Sequence, residues 1–274
     1  MKSLLLSLAL LLSAAATAAD PTVFITGANR GIGIEFVKQY AEAGWNVIAT
    51  CRNPANATDL QDLAAQYDNL SIKALDITDH AAVDALAAEL SGQPIDVLLN
   101  NAALLGKFPG QYFGQIDYEQ FSQILAVNTI GTLKLTEALV NNVEAGEQKK
   151  IVTLGSAAGS IGSINGHPDL YAYRASKAAL HLLMRNLSFD LQDEGIVVGL
   201  INPGLVDTRG FADMLAGKKE TPPDFQQIVN LLKAGIIQLS TPEEAVTLMR
   251  ARIEELGPEQ SGEFINADGT PIPW

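Results

Sequence analysis

The segment TGANRGIG, Thr26 to Gly33, constrains the fold of this chain more than any other. It follows an apolar run that predicts a β-strand at residues 22–27, and a helical pattern begins at Gly31. Glycines 27, 31 and 33 leave the backbone bare at the start of that helix, where N–H groups and the helix dipole favour an anion. A strand, a glycine turn and a helix in this order predict the first unit of a dinucleotide-binding fold.

Six further apolar runs predict strands, and longer helical patterns separate most of them. The predicted strands comprise residues 22–27, 46–51, 70–75, 96–100, 150–155, 196–202 and 262–266. The predicted helices lie near residues 31–43, 81–90, 118–143, 171–192 and 242–256. Near-continuous apolar strands are typical of a buried parallel sheet. We therefore predict an α/β, doubly wound Rossmann fold with a seven-stranded, mostly parallel sheet and helices on both faces.

The charge and the cysteine and histidine counts of the sequence limit the kinds of ligand and partner that it can bind. The formal net charge of −13 argues against nucleic acid and anionic membrane surfaces, because both attract basic patches. The single cysteine, Cys51, excludes an intrachain disulfide framework, and three scattered histidines make a histidine-based metal site unexpected. We expect a small-molecule ligand and no metal.

The amino-terminal residues predict a targeting segment. Lys2 precedes an apolar run from Leu4 to Leu12, and small residues suited to cleavage follow up to Ala19. This pattern predicts a signal peptide at residues 1–19, export to a periplasm or secretory lumen, and a single domain at residues 20–274. The alternatives are an uncleaved helix or a misassigned start codon, with a cytoplasmic protein.

Two arginines indicate the type of dinucleotide. At the end of the second strand, where an acidic residue would suit the ribose of NAD, Cys51 is followed by Arg52. A guanidinium there suits a 2′-phosphate, and Arg30 adds a second positive charge. These residues favour NADP(H) over NAD(H), although both could be solvated surface charges. After the third strand, Asp76 and the amide of Ile77 are placed to bind adenine.

Tyr173 and Lys177 form a second chemical signal. They lie four residues apart, on one face of a predicted helix. A phenol with a pKa near 10 is a weak acid–base catalyst at neutral pH, and a neighbouring ammonium would lower that pKa. The pair therefore predicts proton transfer at Tyr173. The alternative is an exposed helix face with a snorkelling lysine.

Seven motifs in order and spacing, TGANRGIG, LDITD, NNAA, VNTIG, LGS, YAYRASK and NPG, resemble the short-chain dehydrogenase/reductase family. The resemblance covers residues 21–274. The first motif with its flanking residues, YAYRASKAAL and the closing PIPW are similar to the C-factor-like and sniffer-type carbonyl reductase branch. That branch implies NADPH as cofactor and hydride transfer between a carbonyl compound and its alcohol.

The resemblance also implies roles for individual residues. Tyr173 would transfer the proton, Ser156 would hydrogen-bond the substrate oxygen, and Lys177 would lower the tyrosine pKa and hold the nicotinamide ribose. Asn128 would support a water-mediated proton path, or would simply be satisfied by neighbouring backbone. Ser160 is the alternative serine, because it meets the common family spacing to Tyr173. With the glycine turn and the residues named above, the predicted cofactor site comprises Gly27, Asn29, Arg30, Gly31, Ile32, Gly33, Arg52, Asp76, Ile77, Asn101, Ala102, Tyr173, Lys177, Pro203, Gly204 and Thr208.

Substrate and assembly are less constrained. Ala103 stands where the family commonly has glycine, and apolar residues between Asp207 and Thr241 predict either a lid or ordinary helix core. An apolar carbonyl substrate fits this pattern, and a homodimer or homotetramer is compatible with it. The competing hypothesis is a non-catalytic NADP-binding sensor or C-factor-like signalling protein. A serine hydrolase using His167 is disfavoured, since LGSAAG is not a Gly-x-Ser-x-Gly elbow.

Overall fold

The computed structural model describes residues 20–164 and 169–274, so the predicted signal peptide and His167 lie outside the described residues. The strands are β1 (Thr22–Ile25), β2 (Asn46–Cys51), β3 (Leu70–Ala74), β4 (Val97–Asn100), β5 (Lys150–Leu154), β6 (Val197–Asn202), β7 (Leu205–Val206), β8 (Leu239–Ser240) and β9 (Phe264–Asn266). The helices are α1 (Gly31–Glu42), α2 (Thr58–Ala64), α3 (His80–Glu89), α4 (Tyr118–Leu125), α5 (Thr132–Glu144), α6 (Tyr171–Asp190), α7 (Phe211–Leu215), α8 (Gln226–Lys233) and α9 (Pro242–Glu255).

Seven strands form one sheet in the order β3-β2-β1-β4-β5-β6-β9, and every pairing in it is parallel. The order reverses direction at β1, which pairs with both β2 and β4. In sheets of this kind the crevice beyond the carboxyl ends of these strands is where ligands bind. The seven-stranded, doubly wound Rossmann prediction is confirmed.

Buried apolar side chains cover both faces of the sheet. Val23 and Ile25 belong to the core with Phe36 of α1 and Met249 of α9. Phe24, which points the opposite way because strand side chains alternate, belongs to the second core with residues of α3, α5 and α6. Helices cover both faces of the sheet, so the carboxyl ends of its strands are the edge that remains accessible to a ligand. No helix among the described residues is long and apolar enough to cross a membrane.

The structure differs from the sequence prediction in several elements. Helix α2, helices α7 and α8, and the short parallel pair β7–β8 were not predicted as separate elements. The helix predicted at 118–143 is divided by a π-helical turn at Ala126–Gly131. A Cβ on Gly131 would lie 2.6 Å from the carbonyl oxygen of Ile77, so this turn packs directly on backbone. Gly131 and Ile77 are 54 residues apart, so the local sequence pattern around the helix does not predict this π-helical turn.

Candidate active site

The glycine turn after β1 is a cradle of bare backbone. Gly27 and Gly31 have φ of +63° and +57°, which L side chains rarely adopt. A Cβ on Gly33 would lie 2.2 Å from the carbonyl oxygen of Gly27. Arg30 precedes α1 and its side chain does not cap the helix. The first N–H groups of α1 therefore have no side-chain cap and can bind an anionic ligand. The turn fits the pyrophosphate of a dinucleotide.

Asn101 holds this turn in shape. Its Nδ2 atom donates to the carbonyl oxygens of Thr26 at 2.7 Å and Gly27 at 3.1 Å. The Ala102 amide donates to the Thr26 hydroxyl at 2.9 Å, and a Cβ on Gly27 would lie 2.9 Å from the Cα atom of Ala102. The structure thus brings Asn101 and Ala102 to the predicted cofactor site. The Asn101 side chain contributes there by fixing the shape of the glycine turn.

The residues predicted to bind the nicotinamide half lie on the other side of the glycine turn. Pro203 and Gly204 follow β6 directly, and Gly204 has a φ of +74°. A Cβ on Gly31 would lie 3.1 Å from the Cγ2 atom of Thr208. Two segments separated by more than 170 residues therefore meet at the mouth of α1.

Arg30, Arg52, Asp76 and Ile77 are the residues predicted to bind the adenosine half of the cofactor. Arg30 and Arg52 are exposed, and neither forms an ion pair within the described residues. Asp76 accepts hydrogen bonds from the Thr78 amide at 2.9 Å and hydroxyl at 2.7 Å. Burial alone would raise the pKa of Asp76, but these bonds and the charge of Arg52 hold it below its ordinary value. Ile77 is buried, and Asp79 caps α3 instead of Asp76.

Helix α6 presents Tyr173 and Lys177 together. The Nζ atom of Lys177 lies 6.0 Å from the ring centroid of Tyr173 and donates to the carbonyl oxygen of Leu154 at 2.8 Å. Lys177 is buried, which excludes the exposed, snorkelling lysine. The predicted juxtaposition on one helix face is confirmed.

The expected direction of the tyrosine pKa is wrong for this structure. Burial raises the pKa of Tyr173, although the nearby Ser156 hydroxyl and the charge of Arg209 act in the opposite direction. Burial also lowers the pKa of Lys177 to about 8. The ammonium is directed to the Leu154 carbonyl at the end of β5, so desolvation outweighs its attraction for a phenolate.

Ser156, not Ser160, faces the tyrosine. Ser156 follows β5, its hydroxyl is close enough to Tyr173 to lower the pKa of the phenol, and it accepts from the Ala158 amide at 3.2 Å. Ser160 is buried, and its hydroxyl donates to the carbonyl oxygen of Pro273 and accepts from the Ser163 amide at 3.1 Å. The serine at the thirteen-residue spacing is therefore bonded to Pro273, and the serine at the longer spacing lies near Tyr173.

Asn128 lies within the π-helical turn and is fully buried. Its Oδ1 accepts from the Leu104 amide at 2.7 Å, and its Nδ2 donates to the Leu104 carbonyl and the Ser176 hydroxyl, both at 2.9 Å. These bonds match the alternative in which neighbouring groups satisfy the side chain. They tie the loop after β4 to α6, and the water-mediated proton path stays a prediction.

Sequence reasoning missed three residues at this site. The buried Gln111 accepts from the Tyr173 amide at 3.0 Å, at the start of α6. Arg209 follows Thr208, and its charge reaches Tyr173. The Nε2 atom of His181 accepts from the Ser156 amide at 3.3 Å. Only His181 had a signal, because it lies four residues after Lys177 on the same helix face.

An apolar cluster lies in the segment that follows Thr208. Phe211, Met214 and Val229 form its buried centre, with Phe225 packed against them. The Phe225 ring lies 5.5 Å from Phe108, in the loop after β4, and the Arg209 guanidinium lies 5.7 Å from it. The residues predicted as either lid or helix core thus form a small core of their own that reaches the β4 loop.

Comparison with known proteins gives a family for this arrangement. The family model described as short chain dehydrogenase matches residues 21–219. An uncharacterized oxidoreductase of Schizosaccharomyces pombe is 34% identical over 254 residues, covering 92% of this chain and 97% of the relative. The C-signal protein of Myxococcus xanthus is 33% identical over 190 residues, covering 69% of this chain and 99% of the relative.

Two solved structures share the fold over nearly the whole chain. One is an NADPH-bound carbonyl reductase from chicken fatty liver, with a TM-score of 0.77, 30% identity, and coverage of 94% of this chain and 100% of that one. The other is the carbonyl reductase Sniffer of Drosophila melanogaster, with a TM-score of 0.77, 27% identity, and coverage of 93% and 100%. The similarity to sniffer-type carbonyl reductases that the motifs indicated is confirmed.

Proposed function

The chain belongs to the short-chain dehydrogenase/reductase family of oxidoreductases, and on this premise we propose that it interconverts a carbonyl compound and its alcohol with NADP(H). Tyr173 is the proton donor and acceptor. The observation that carries the proposal is the approach of Tyr173, Ser156 and Lys177 to one another beside the glycine cradle. A protein that only binds nucleotide has no need of this arrangement.

The residues of the cradle fit NADP(H) better than NAD(H). The glycine backbone and the start of α1 would hold the pyrophosphate, and Arg30 and Arg52 would pair with the 2′-phosphate. The NADPH in the chicken relative's structure supports this preference. When bound, NADPH supplies the hydride.

Side chains of the protein would supply the proton and stabilise the substrate oxygen. In reduction the Tyr173 hydroxyl donates its proton to the substrate oxygen, and the Ser156 hydroxyl donates a hydrogen bond to the same atom. The raised pKa of Tyr173 keeps the phenol protonated at neutral pH, as an acid in reduction requires. Lys177 supplies a buried positive charge beside the ring. The apolar cluster around Phe225 favours an apolar carbonyl substrate.

The test compares Tyr173→Phe with Tyr171→Phe, an exposed tyrosine two residues earlier. Reduction of 4-nitrobenzaldehyde and 9,10-phenanthrenequinone is followed by the loss of NADPH absorbance. We expect kcat to fall at least about 100-fold in Tyr173→Phe, the usual scale of general acid catalysis, and to be unchanged in Tyr171→Phe. NADPH affinity should be unaltered in Tyr171→Phe. Equal turnover in the two variants would contradict the role of Tyr173.

The second candidate is a nucleotide-binding signalling protein. The Myxococcus xanthus C-signal, which matches 69% of this chain, favours it. This alternative predicts tight NADPH binding by the wild-type protein and no reduction of any aldehyde, quinone or ketone offered. The same assay therefore separates the two functions.

A further inference from the structure

The last residues of the sequence are bound to the loop that follows Ser156. We call residues 272–274 the carboxyl-terminal strap. The Pro273 carbonyl accepts from the Ser160 hydroxyl, and a main-chain oxygen of Trp274 accepts from the Gly162 amide at 2.7 Å. At the other end of the strap the Ile272 amide donates to the Phe264 carbonyl at 2.9 Å, which fixes it to β9. The strap therefore joins the sheet to the loop that follows Ser156, which we call the serine loop.

A stack of rings makes a second connection from the strap to the same serine. The Trp274 ring lies 5.8 Å from Phe264, and Phe264 lies 4.3 Å from His181. The Nε2 atom of His181 accepts from the Ser156 amide. A Cβ on Gly155 would lie 2.8 Å from the Phe264 ring and 3.1 Å from this Nε2 atom, so the rings press against the backbone at Ser156.

His181 is suited to accept this bond at any ordinary pH. Burial, helped by the charge of Lys177, lowers the pKa of His181 to about 3, so the ring is neutral. With Nε2 accepting, the proton is on Nδ1, which is buried and has no acceptor within the described residues. A buried donor without a partner is destabilising. We therefore attribute the buried histidine to the bond that its Nε2 atom accepts from the Ser156 amide, and not to a gain in stability.

We propose that Trp274 and His181 are positioning residues that hold Ser156 where its hydroxyl can bond the substrate oxygen. The strap acts through the serine loop, and the ring stack acts through the Ser156 amide. This inference rests on the proposed reductase function. It assigns a role in turnover to the end of the chain, far in sequence from the other site residues.

The first experiment replaces Trp274 by alanine and by phenylalanine. We expect kcat for 4-nitrobenzaldehyde to fall about tenfold in Trp274→Ala, equivalent to about 1.4 kcal/mol, and to recover within about threefold in Trp274→Phe, which keeps a ring against Phe264. The NADPH dissociation constant should change less than twofold. Phe189→Ala is the matched control, because Phe189 is an exposed ring that stacks on Arg185 as Trp274 does, without touching Phe264.

A double-mutant cycle separates positioning from general stability. In a Ser156→Ala background, Trp274→Ala should cause no further loss of kcat, since there is no hydroxyl left to position. His181→Gln, which keeps an acceptor, should retain more activity than His181→Phe, which keeps only a ring. An equal loss from Trp274→Ala with and without Ser156, or no loss at all, would overturn the proposal.

Hydrogen exchange supplies a readout independent of turnover. The peptide containing residues 155–163 should exchange at least about tenfold faster in Trp274→Ala than in Phe189→Ala or the wild type. If the wild-type protein reduces no carbonyl compound, the proposed function fails, and exchange in this peptide decides whether the strap holds Ser156. Unchanged exchange would then overturn the inference.

Discussion

Burial dominates the chemistry of individual residues in this site. It raises the pKa of Tyr173 and lowers that of Lys177 to about 8, although a simple pairing of charges predicts a lowered tyrosine pKa. Since the ammonium donates to the Leu154 carbonyl, its charge is partly satisfied by backbone. Arg30 and Arg52 are the opposite case, because they are exposed and form no ion pair within the described residues.

At the residue scale, Arg52→Ala should weaken NADPH binding selectively. Loss of a charge-assisted bond to a phosphate is worth about 1.5–3 kcal/mol, so the NADPH dissociation constant should rise about 10- to 160-fold. NADH binding should change less than twofold. Fluorescence titration with both nucleotides measures this, and Lys73→Ala, which removes an equal charge that is paired with Glu89, is the control. A parallel loss of both affinities would contradict the 2′-phosphate role.

At the scale of elements, the glycine turn joins β1 to α1 with almost no spare volume. Gly33 faces the Gly27 carbonyl, and the Asn101 side chain fills the remaining space. The turn is therefore a rigid unit whose shape depends on β4 as well as on β1. Its three glycines are needed for different reasons, because Gly27 and Gly31 have positive φ and Gly33 has a close approach.

Gly33→Ala should damage both this unit and nucleotide binding. A Cβ 2.2 Å from a carbonyl oxygen forces the backbone to move, and overpacking of this kind costs about 1–3 kcal/mol. Urea unfolding should show that loss, and NADPH titration should show binding reduced beyond detection. Gly257→Ala is the control, since its Cβ would lie 3.4 Å from the nearest atom. If Gly33→Ala binds NADPH normally, the cradle assignment is wrong.

At the scale of the whole molecule, the site is assembled from distant parts of one sheet and its end. Residues from the β1, β4, β5 and β6 loops and from α6 meet at the carboxyl edge, and the strap closes on them from the last strand. A buried neutral histidine in this assembly links its folding to pH. The folded protein keeps His181 unprotonated, whereas the unfolded chain protonates it near pH 6.5.

The free energy of unfolding should therefore fall as pH drops from about 6.5 toward 3, since the unfolded state binds the proton and the folded state does not. His181→Gln lacks this contribution. The wild type should lose up to about 3 kcal/mol more than His181→Gln between pH 7 and pH 4, by 1.36 kcal/mol per pKa unit. Urea unfolding of both proteins at the two values of pH measures the difference. Parallel losses would show that His181 is protonated in the fold.

Local sequence determined the fold class, the glycine cradle and the pairing of Tyr173 with Lys177. Strand periodicity, the positive φ of glycine and the four-residue helical repeat all act between near neighbours, so they are legible in the chain itself. The π-helical turn, the separate helices α7 and α8, and the strap were not, since they arise from packing between distant segments.

Only the tertiary structure distinguishes the surroundings of the two candidate serines. It places Ser156 near Tyr173 and bonds Ser160 to Pro273, 113 residues away, and it directs the Asn101 and Asn128 side chains to backbone groups. It also set the direction of the Tyr173 pKa, because desolvation depends on everything packed around a group and not on its neighbours in sequence.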